Sequence, residues 1–498
     1  MRLPHFSLSK KALAWVCVGL LAVSLLPICA ISFYNHPFYD DFGFSIKTHA
    51  AWRNTGNPGA VLAAAWENTL GTRNSWEGTY TTTFISSLQP GIWGEGSYWI
   101  STFALLGGLL LALGFFLWQA LVKTLRAEAS IAVIAFSALA FLMVHMAPDP
   151  SEAFFWFNGG VAYTLIWSLM LFTAGCWLAF DRAQGPGKTA ALFALLLLLT
   201  TLLGGGKYST VLLAALLSLG FTFLAFARKR PKRFAFALLS ALLLACFAFS
   251  AVAPGNTVRA GTLQGGLSVP MAVAQALYFG LALMGHWFSL PLAAAVLALV
   301  ALLLPALRRS PFSFAHPLWV TVLGLGLFCA QLAPTLFTGN FLGDGRVLNT
   351  YYDTYVLMAL GLALYWTGFL LRRHPGIQAE PSPRVSGPVL AIASVLLVAG
   401  CLAYLPQDSE GRGPKNLTGA SAALSVLSGE ARRYDREMDA RDAAMNDPAQ
   451  RDVALIPVSG IPRVFMSDVA QSQELAYVLN LYAEYYDKSS VTLAPKEE

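Results

Sequence analysis

The sequence predicts an all-α integral membrane protein with about eleven transmembrane helices and a small α/β domain at its C-terminus. Hydrophobic residues make up 56% of the 498 residues and charged residues only 12%, and the mean hydropathy is +0.57. Apolar runs of about 20 residues recur along the chain, which is the length a helix needs to cross a bilayer. The chain also has 13 tryptophans and 17 tyrosines, many of them beside the ends of these runs, as an aromatic belt requires.

The first predicted helix runs from Ala12 to Phe33 and follows a basic N-terminal stretch, residues 1–11. Because no small-residue cleavage site follows it, we expect an uncleaved membrane helix with a cytoplasmic N-terminus. Residues 34–97 then form a long loop that we expect outside the cytoplasm. Within this loop Ala60 to Leu70 has helical character and is expected to lie on the membrane surface.

Basic residues recur at every second connection between the apolar runs, and they predict the cytoplasmic ends of the helices. The strongest basic run, residues 228–233, has no folded basic domain around it, so nucleic acid is not an expected partner. The further helices are predicted at 98–122, 129–146, a segment after 154–160 that ends at 180, 192–203, 210–227, 234–252, 290–307, 318–336, a segment ending at 373, and 388–405.

Two segments fit this pattern poorly. Residues 192–203 are short for a span and run into Gly204-Gly205-Gly206, and irregular backbone at membrane depth needs protein or water around it. Residues 271–287 are also short and contain His286, so they are expected along the interface. A count of about eleven places the C-terminus outside the cytoplasm.

The chain therefore divides into a membrane domain, residues 1–405, and an extracytoplasmic tail, residues 406–498. The tail is predicted to contain a helix at 420–445, a strand at 452–458 and a helix at 471–486. All six cysteines fall in apolar segments without metal-ligand spacing, so neither a disulfide framework nor a zinc site is predicted.

Two adjacent carboxylates, Asp40 and Asp41, follow the first helix directly. Charges are costly near lipid, so their position at the membrane interface asks for a reason. One interpretation is that an aspartate caps a short helix beginning near Phe42. The other is that one of them acts as an acid or base at the membrane surface. A cap needs only one aspartate, and both interpretations stay open on these residues alone.

The predicted topology places many charged residues from different loops on one side of the membrane. Carboxylates there could activate a hydroxyl or hold a divalent cation, and arginine and lysine suit a phosphate. Without an ATP-binding loop, this combination suggests chemistry on a substrate carried by a lipid phosphate, whereas the simpler alternative is that the charges pair across loops. The residues concerned are Asp40, Asp41, Glu67, Glu77, Asp149, Glu152, Lys207, Arg259, Asp344, Arg346 and Asp353.

Four motifs in this order carry a resemblance to a known family. They are Tyr39-Asp40-Asp41-Phe42, Glu152…Trp156…Gly159, Pro254-Gly255-Asn256…Arg259, and Asn480…Ala483-Glu484-Tyr485-Tyr486. The chain resembles an uncharacterised family of polytopic bacterial membrane proteins that looks related to the GT-C glycosyltransferases. The resemblance implies a GT-C-like fold in the bacterial inner membrane. It also implies transfer of a sugar from a polyprenyl-phosphate donor to an extracytoplasmic glycan, lipid or protein acceptor.

The resemblance also implies roles for individual residues. An acidic residue of the first outer loop, here Asp40 or Asp41, serves as catalytic base or as the contact of a divalent cation such as Mg or Mn. Related proteins carry an acid in the turn between helices 5 and 6, where this chain instead has Lys207, which suits a donor phosphate. We expect substrate or phosphate binding by Glu152, Lys207, Asn256, Arg259 and Arg346.

Three other functions stay open. A transporter or flippase of lipid-linked saccharides is expected to carry charges within its helices and often internal repeats. A glycan polymerase or ligase is expected to depend on basic rather than acidic loop residues. A membrane anchor whose tail binds a partner needs no active site at all.

Overall fold

A computed structural model describes residues 8–262, 265–374, 376, 384–404 and 416–495. Ten helices in the described part of the chain are long and apolar enough to cross a membrane, and three shorter apolar helices accompany them. The protein is therefore an all-α, multi-pass membrane protein, as predicted.

The membrane part contains eighteen α-helices and two short strands within the residues that the structure describes. The strands β1 (Leu8–Ser9) and β2 (Arg384–Val385) pair antiparallel. The helices are α1 (Lys10–Ile31), α2 (Asp40–Thr55), α3 (Pro58–Ser75), α4 (Tyr80–Ser86), α5 (Ile100–Leu117), α6 (Ala129–His145), α7 (Phe157–Gly160), α8 (Ile166–Arg182), α9 (Pro186–Gly204), α10 (Tyr208–Ala227), α11 (Arg233–Ala251), α12 (Pro254–Thr262), α13 (Val269–Trp287), α14 (Leu290–Arg309), α15 (Pro317–Ala330), α16 (Ala333–Gly339), α17 (Gly345–Arg373) and α18 (Gly387–Leu402).

Several predicted boundaries are wrong for local reasons. Helix α9 begins at Pro186 rather than at 192, because proline fits the first turn of a helix and Gly185 supplies a positive φ of 83° just before it. Its 19 residues make it a full-length span. Helix α17 begins at Gly345, so Asp353, predicted in an outer loop, lies inside a membrane helix. The end of α18 predicted at Leu405 falls outside the described residues.

Helix α13 is long enough to span, but its two ends contact the same end of the bundle. Just before it, the Leu267 N–H donates to the carbonyl of Leu336 at 3.3 Å. At its other end Trp287 packs on Tyr352 with ring centroids 5.6 Å apart. Tyr352 lies less than two turns below Arg346, so both ends of α13 stay near the first turns of α17.

The long first loop folds into three helices, α2 to α4, rather than remaining irregular. Helix α3 keeps Leu62, Trp66 and Leu70 exposed at a spacing of four residues, which places them on one face. Beside it, Arg73 donates to the carbonyl of Phe249 near the end of α11, at 2.8 Å. This apolar face therefore lies next to the end of a span, in line with the interfacial position predicted for residues 60–70.

The basic connections meet at the opposite end of the bundle, which we call the basic end. There Lys232 donates to the carbonyls of Phe180 and Ala183, and Arg372 donates to that of Arg308. Lys10 pairs with Glu128 at 2.6 Å. The end that carries Asp40 is called the site end.

The tail contains α19 (Thr418–Leu427), α20 (Glu430–Asn446), β3 (Asp452–Leu455), α21 (Leu475–Tyr486) and β4 (Ser490–Leu493). Strands β3 and β4 pair in parallel, which makes the tail the small α/β unit that was predicted. The single helix predicted at 420–445 is wrong, because Gly429 takes a φ of 79° and separates α19 from α20.

The described part of the tail is docked on the membrane part. Thr418 donates to the carbonyl of Val144 at 2.8 Å, and the Gly419 N–H donates to Nδ1 of His145 at 3.2 Å. Further along, Phe42 of α2 packs against Tyr482 of α21 with ring centroids 4.2 Å apart. The tail thus lies over the start of α2, which is where Asp40 is found.

Candidate functional site

Asp41 is fully buried and holds the first loop in place. Its Oδ1 accepts hydrogen bonds from the backbone and side-chain amides of Asn158 at 3.0 and 2.9 Å. Its Oδ2 accepts from the Phe38 N–H at 3.0 Å and from the Tyr98 hydroxyl at 2.5 Å. Burial raises the pKa of Asp41 to about 7. The hydrogen bonds favour the ionised form and so oppose this rise. All four donors point at this one carboxylate, so its role is to join the loop to α7.

The capping interpretation is wrong in its detail. Helix α2 begins at Asp40 rather than near Phe42, and the residue before it, Tyr39, makes no capping hydrogen bond. Tyr39 instead takes φ 49° and ψ −110°, an unfavourable conformation for a residue with a side chain. Asp41 stabilises this start of the helix by reaching back to Phe38.

Asp40 has a different environment from that of its neighbour. It is half-buried, and within the described chain its carboxylate takes part in no hydrogen bond and no ion pair. Burial raises its pKa to about 6, and the charges of Arg346, Lys207 and Arg259 oppose that rise. The structure therefore separates the two aspartates into one structural carboxylate and one free carboxylate with a pKa near neutrality.

Glu77 binds two of the three cations that act on Asp40. It is 3% exposed, and Lys207 donates to both of its oxygens at 2.6 Å. Arg259 pairs with the same carboxylate, and Thr79 donates to it at 2.7 Å. The two cations lower the pKa of Glu77 to about 2 despite its burial. One negative charge shared by two cations leaves this group with a net charge of about +1.

Asn256 positions this group from α12. Its Oδ1 accepts from the Gly78 N–H and the Tyr208 hydroxyl, and its Nδ2 donates to the carbonyls of Ser250 and Ala251. Gly255 lies against the backbone of Glu77, where a Cβ would come within 2.7 Å of the Glu77 nitrogen. Asn256 was predicted to bind substrate, but its side-chain atoms are occupied within the chain.

The glycine-rich turn between α9 and α10 places Lys207. The Gly205 carbonyl accepts the N–H groups of Thr81 and Thr82 at 3.0 and 3.3 Å. A Cβ at Gly205 would lie 2.4 Å from the ring of Tyr80, so only glycine allows this approach. The turn is thus packed against α4 and holds Lys207 beside Glu77.

Arg346 is held at the start of α17 by two acids. Its backbone N–H donates to Glu152 at 2.5 Å, its guanidinium donates to the other oxygen of Glu152 at 3.1 Å, and it also pairs with Asp344. The guanidinium carbon lies 5.1 Å from the ring centroid of Trp156. Asp149 in turn accepts the Glu152 N–H at 3.2 Å and fixes this turn.

Most of the predicted site residues meet at one place. Asp40, Lys207, Arg259 and Arg346 act on one another electrostatically, and Glu152 holds Arg346 there. Asp41 and Asn256 hold the segments that carry these residues through their own hydrogen bonds. Glu67, by contrast, pairs with Lys47 at 2.7 Å on the exposed surface of α2 and α3.

Glu77 was predicted only as one of the outer charges, without a role of its own, and Tyr163 was not predicted at the site. Glu77 was one acid among several in the first loop, and only the fold brings Lys207 and Arg259 to it. Tyr163 lies on a π-helical turn, Val161–Leu165, within electrostatic range of Arg346 and Arg259. A π-helical turn often marks a functional position, but nothing in the sequence of this segment predicts one.

A divalent cation does not fit at Asp40 and Asp41. The oxygens of Asp41 already accept four hydrogen bonds, which leaves Asp40 as a single ligand there. Within the described residues, a convergent group of three metal-type side chains occurs elsewhere, at His36, Asp435 and Asp439. The ring nitrogens of His36 there already contact Glu95 at 2.9 Å and Asp435 at 3.1 Å.

The tail reaches the site through α21. Tyr39 contacts Glu474 through its hydroxyl, and its ring lies 6.2 Å from that of Tyr477. Tyr477 is also within electrostatic range of Asp40. The face of Asp40 that is not enclosed by the membrane part is therefore bordered by the tail.

Comparison with protein-family models, with curated proteins and with solved structures finds no match to this chain.

Proposed function

We propose that the protein is a membrane glycosyltransferase that transfers a sugar from a polyprenyl-phosphate donor to an acceptor hydroxyl. The observation that carries this proposal is the free carboxylate of Asp40, which lies within electrostatic range of Lys207, Arg259 and Arg346 and pairs with none of them. A base close to a group of cations suits a reaction in which one oxygen loses a proton and another leaves as phosphate.

The reaction requires one bond to form and one to break. The acceptor oxygen attacks the anomeric carbon of the donor while its proton passes to Asp40. The bond between that carbon and the phosphate oxygen breaks, and both of its electrons leave with the phosphate. With a pKa of about 6, Asp40 is mostly ionised at neutral pH and is still basic enough to accept the proton.

The leaving phosphate is assigned to Lys207 and Arg259. Arg346 already serves two carboxylates, Glu152 and Asp344, whereas Lys207 and Arg259 share only Glu77. The side chain of Arg259 is 38% exposed and that of Lys207 is 15% exposed, so both can contact a ligand. Each charge-assisted hydrogen bond to a phosphate is worth about 1.5–3 kcal/mol.

The proposed location is the bacterial inner membrane with the site end facing outward. The support for this orientation is the basic end, because positively charged connections face the cytoplasm in most membrane proteins. A polyprenyl chain in the bilayer would then present its phosphate at the depth of Lys207. The GT-C-like fold belongs to the same proposal.

The first experiment is native mass spectrometry of the gently purified protein. We expect a co-purifying polyprenyl phosphate or its glycosylated form in the wild type and its loss in Arg259→Ala. Arg451→Ala is the matched control, because this arginine pairs with Asp487 on the exposed surface of the tail. Bulk phospholipid alone in all three samples would contradict the proposed donor site.

A second experiment addresses the chemistry. The protein with its co-purified donor is mixed with cell-envelope extract, and release of the free polyprenyl phosphate is followed. We expect Asp40→Asn to abolish release and Glu67→Gln, an exposed acid of the same loop, to leave it unchanged. Full release by Asp40→Asn would show that another group is the base.

One observation favours the second candidate function, transport of a lipid-linked saccharide. Asp353 is 5% exposed inside α17 and takes part in no hydrogen bond or ion pair within the described chain. An unpaired carboxylate within a membrane helix is a common feature of transport pathways. If the protein is a transporter, Asp353→Asn stops movement of the labelled lipid across vesicles, and Asp40→Asn does not.

A further inference from the structure

Helix α21 presents a polar and aromatic stripe beside Asp40. Glu474 just before the helix and Tyr477, Asn480 and Glu484 within it are all exposed, and Tyr477 is 53% exposed. Their spacing of three to four residues places them on one helix face. The opposite face carries Val478, Tyr482 and Tyr485 and is buried against α2, so the fold itself does not need the exposed stripe.

The stripe begins at Asp40. Tyr477 is within electrostatic range of Asp40 and of Glu484, and Tyr39 bridges the two segments through its ring and its contact with Glu474. From Tyr477 to Glu484 the helix rises about 10 Å. The stripe is therefore a track that leads from the free carboxylate away from the cations and along the tail.

A row of aromatic rings also connects the track to Arg346. The ring of Tyr39 lies 5.9 Å from that of Phe38, and Phe38 lies 6.3 Å from Trp156, over which Arg346 is placed. A pyranose ring has apolar C–H faces and a polar edge of hydroxyls. Aromatic faces next to carboxylate and amide oxygens satisfy both parts, because the rings cover the C–H groups and the oxygens accept the O–H groups.

The acidic side chains of the track disfavour anionic glycans. Asp40, Glu474 and Glu484 are acidic, and among the described residues of α21 none is basic. A glycan bearing uronic acid, sulfate or phosphate groups would meet repulsion along the whole track. A lipid acceptor would need a continuous apolar surface, which these exposed polar side chains do not supply.

We propose that the exposed face of Leu475–Tyr486, with Glu474, binds the acceptor, and that this acceptor is a neutral or amino-sugar glycan whose terminal hydroxyl reaches Asp40. This inference rests on the proposed glycosyl transfer and names its second substrate class. The tail is then a part of the binding site, with Tyr477 as the ring on which a sugar stacks.

Binding is tested without the donor. The full-length protein in nanodiscs is titrated with neutral pentasaccharides of glucose, mannose, galactose and N-acetylglucosamine, and binding is read by saturation-transfer NMR. We expect at least one to bind, with a Kd at least tenfold higher in Tyr477→Ala and close to wild type in Tyr477→Phe, which keeps the ring. Tyr278→Ala removes an exposed tyrosine of α13 and is the matched control.

The outcomes separate the inference from the proposed function. Binding of a pentasaccharide that Tyr477→Ala weakens supports the inference, and it does not depend on any donor. No binding by any pentasaccharide, or binding that Tyr477→Ala leaves unchanged, overturns it. Release of the polyprenyl phosphate on addition of a serine- and threonine-rich peptide or of a long-chain alcohol would show a different acceptor. This result would overturn the inference and would still support the glycosyl transfer. An absence of any donor on the purified protein would count against the transfer alone.

Discussion

Asn158 donates both its backbone N–H and its side-chain amide to one oxygen of Asp41, at 3.0 and 2.9 Å. The other oxygen of Asp41 accepts from Phe38 and Tyr98. Two neighbouring aspartates in the sequence thus have unlike roles, because the first residues of α2 turn one carboxylate into the core and leave the other beside the cations.

Asp41→Asn is expected to destabilise the fold, because Asp41 has a structural role and not a catalytic one. The asparagine side chain would replace one accepting oxygen by an NH2 group, next to the donors that now bind the carboxylate of Asp41. Each buried donor left without an acceptor lowers the free energy of unfolding by about 1–3 kcal/mol. We expect a clear fall in the thermal midpoint of the detergent-solubilised protein, measured by fluorescence-detected size exclusion. Asp40→Asn is the matched control, and an equal fall in both variants would contradict the division of roles.

Asp40→Asn is expected to make the protein inactive and more stable. The folded pKa of about 6 lies above the ordinary value of 3.8, so the free energy of unfolding falls as the pH rises from 3.8 to about 6 and stays lowered above that. Removing that charge should stabilise the protein at pH 7.5 by about 1–3 kcal/mol, and the gain should disappear at pH 4. Thermal midpoints at both pH values measure this difference.

The same pKa predicts the pH dependence of the proposed sugar transfer. Donor discharge should fall as the pH drops through about 6, because the base becomes protonated. The rate should change little between pH 7 and pH 8. A rate that stays constant from pH 5 to pH 8 would argue that Asp40 is not the base.

Glu77→Gln is expected to be strongly destabilising. It leaves Lys207 and Arg259 without their shared counter-charge, and breaking a buried ion pair in this way costs about 3–5 kcal/mol. Lys207→Met in the same chain should recover part of the loss, because it removes one uncompensated charge. Thermal midpoints of the two single variants and the double variant form a double-mutant cycle, and strict additivity would contradict the shared pairing.

The docking of the tail is expected to weaken at high pH. His36 is 6% exposed and lies between Glu95 of the membrane part and Asp435 of α20. Burial lowers its pKa, but the hydrogen bonds and charges of these two carboxylates together outweigh burial and raise the pKa to about 9. The other groups that act on His36 are Asp439, Asp442 and Tyr434, and the Tyr486 hydroxyl donates to Glu95 and Asp442 beside it. Because the folded pKa is raised, the stabilisation is complete below pH 6.5 and is lost as the pH rises through 9.

Hydrogen exchange measures this loss. Protection of the amides of α20 should decrease between pH 7 and pH 9.5 after correction for the intrinsic exchange rate. His36→Gln should lower the protection at pH 7 and remove its dependence on pH. A wild-type protection that does not change over this range would mean that the protonated histidine does not hold the tail.

The apolar pattern of the chain was enough to predict the class of the protein and most of its elements. The length and hydropathy of the apolar runs predict membrane helices. Lipid offers the backbone no hydrogen-bond partners, so a single segment that crosses the bilayer has to satisfy its hydrogen bonds within itself, as a helix does. The predicted helix at 210–227 agrees with the observed helix Tyr208–Ala227 to within two residues at one end. The predicted set of outer charges also contained most of the residues that meet at the site.

The role of each of these charges depends on contacts between distant segments of the chain. Asp40 and Asp41 are adjacent residues of the same type, so the sequence does not distinguish them. Their burial and their hydrogen-bond partners do. Glu77 gains its importance from Lys207, which is 130 residues away along the chain. The contact between Tyr39 and Glu474 joins two ends of the chain, 435 residues apart. Local patterns carry the period and polarity of a helix, whereas the partner of a buried charge depends on which distant segments the packing brings together.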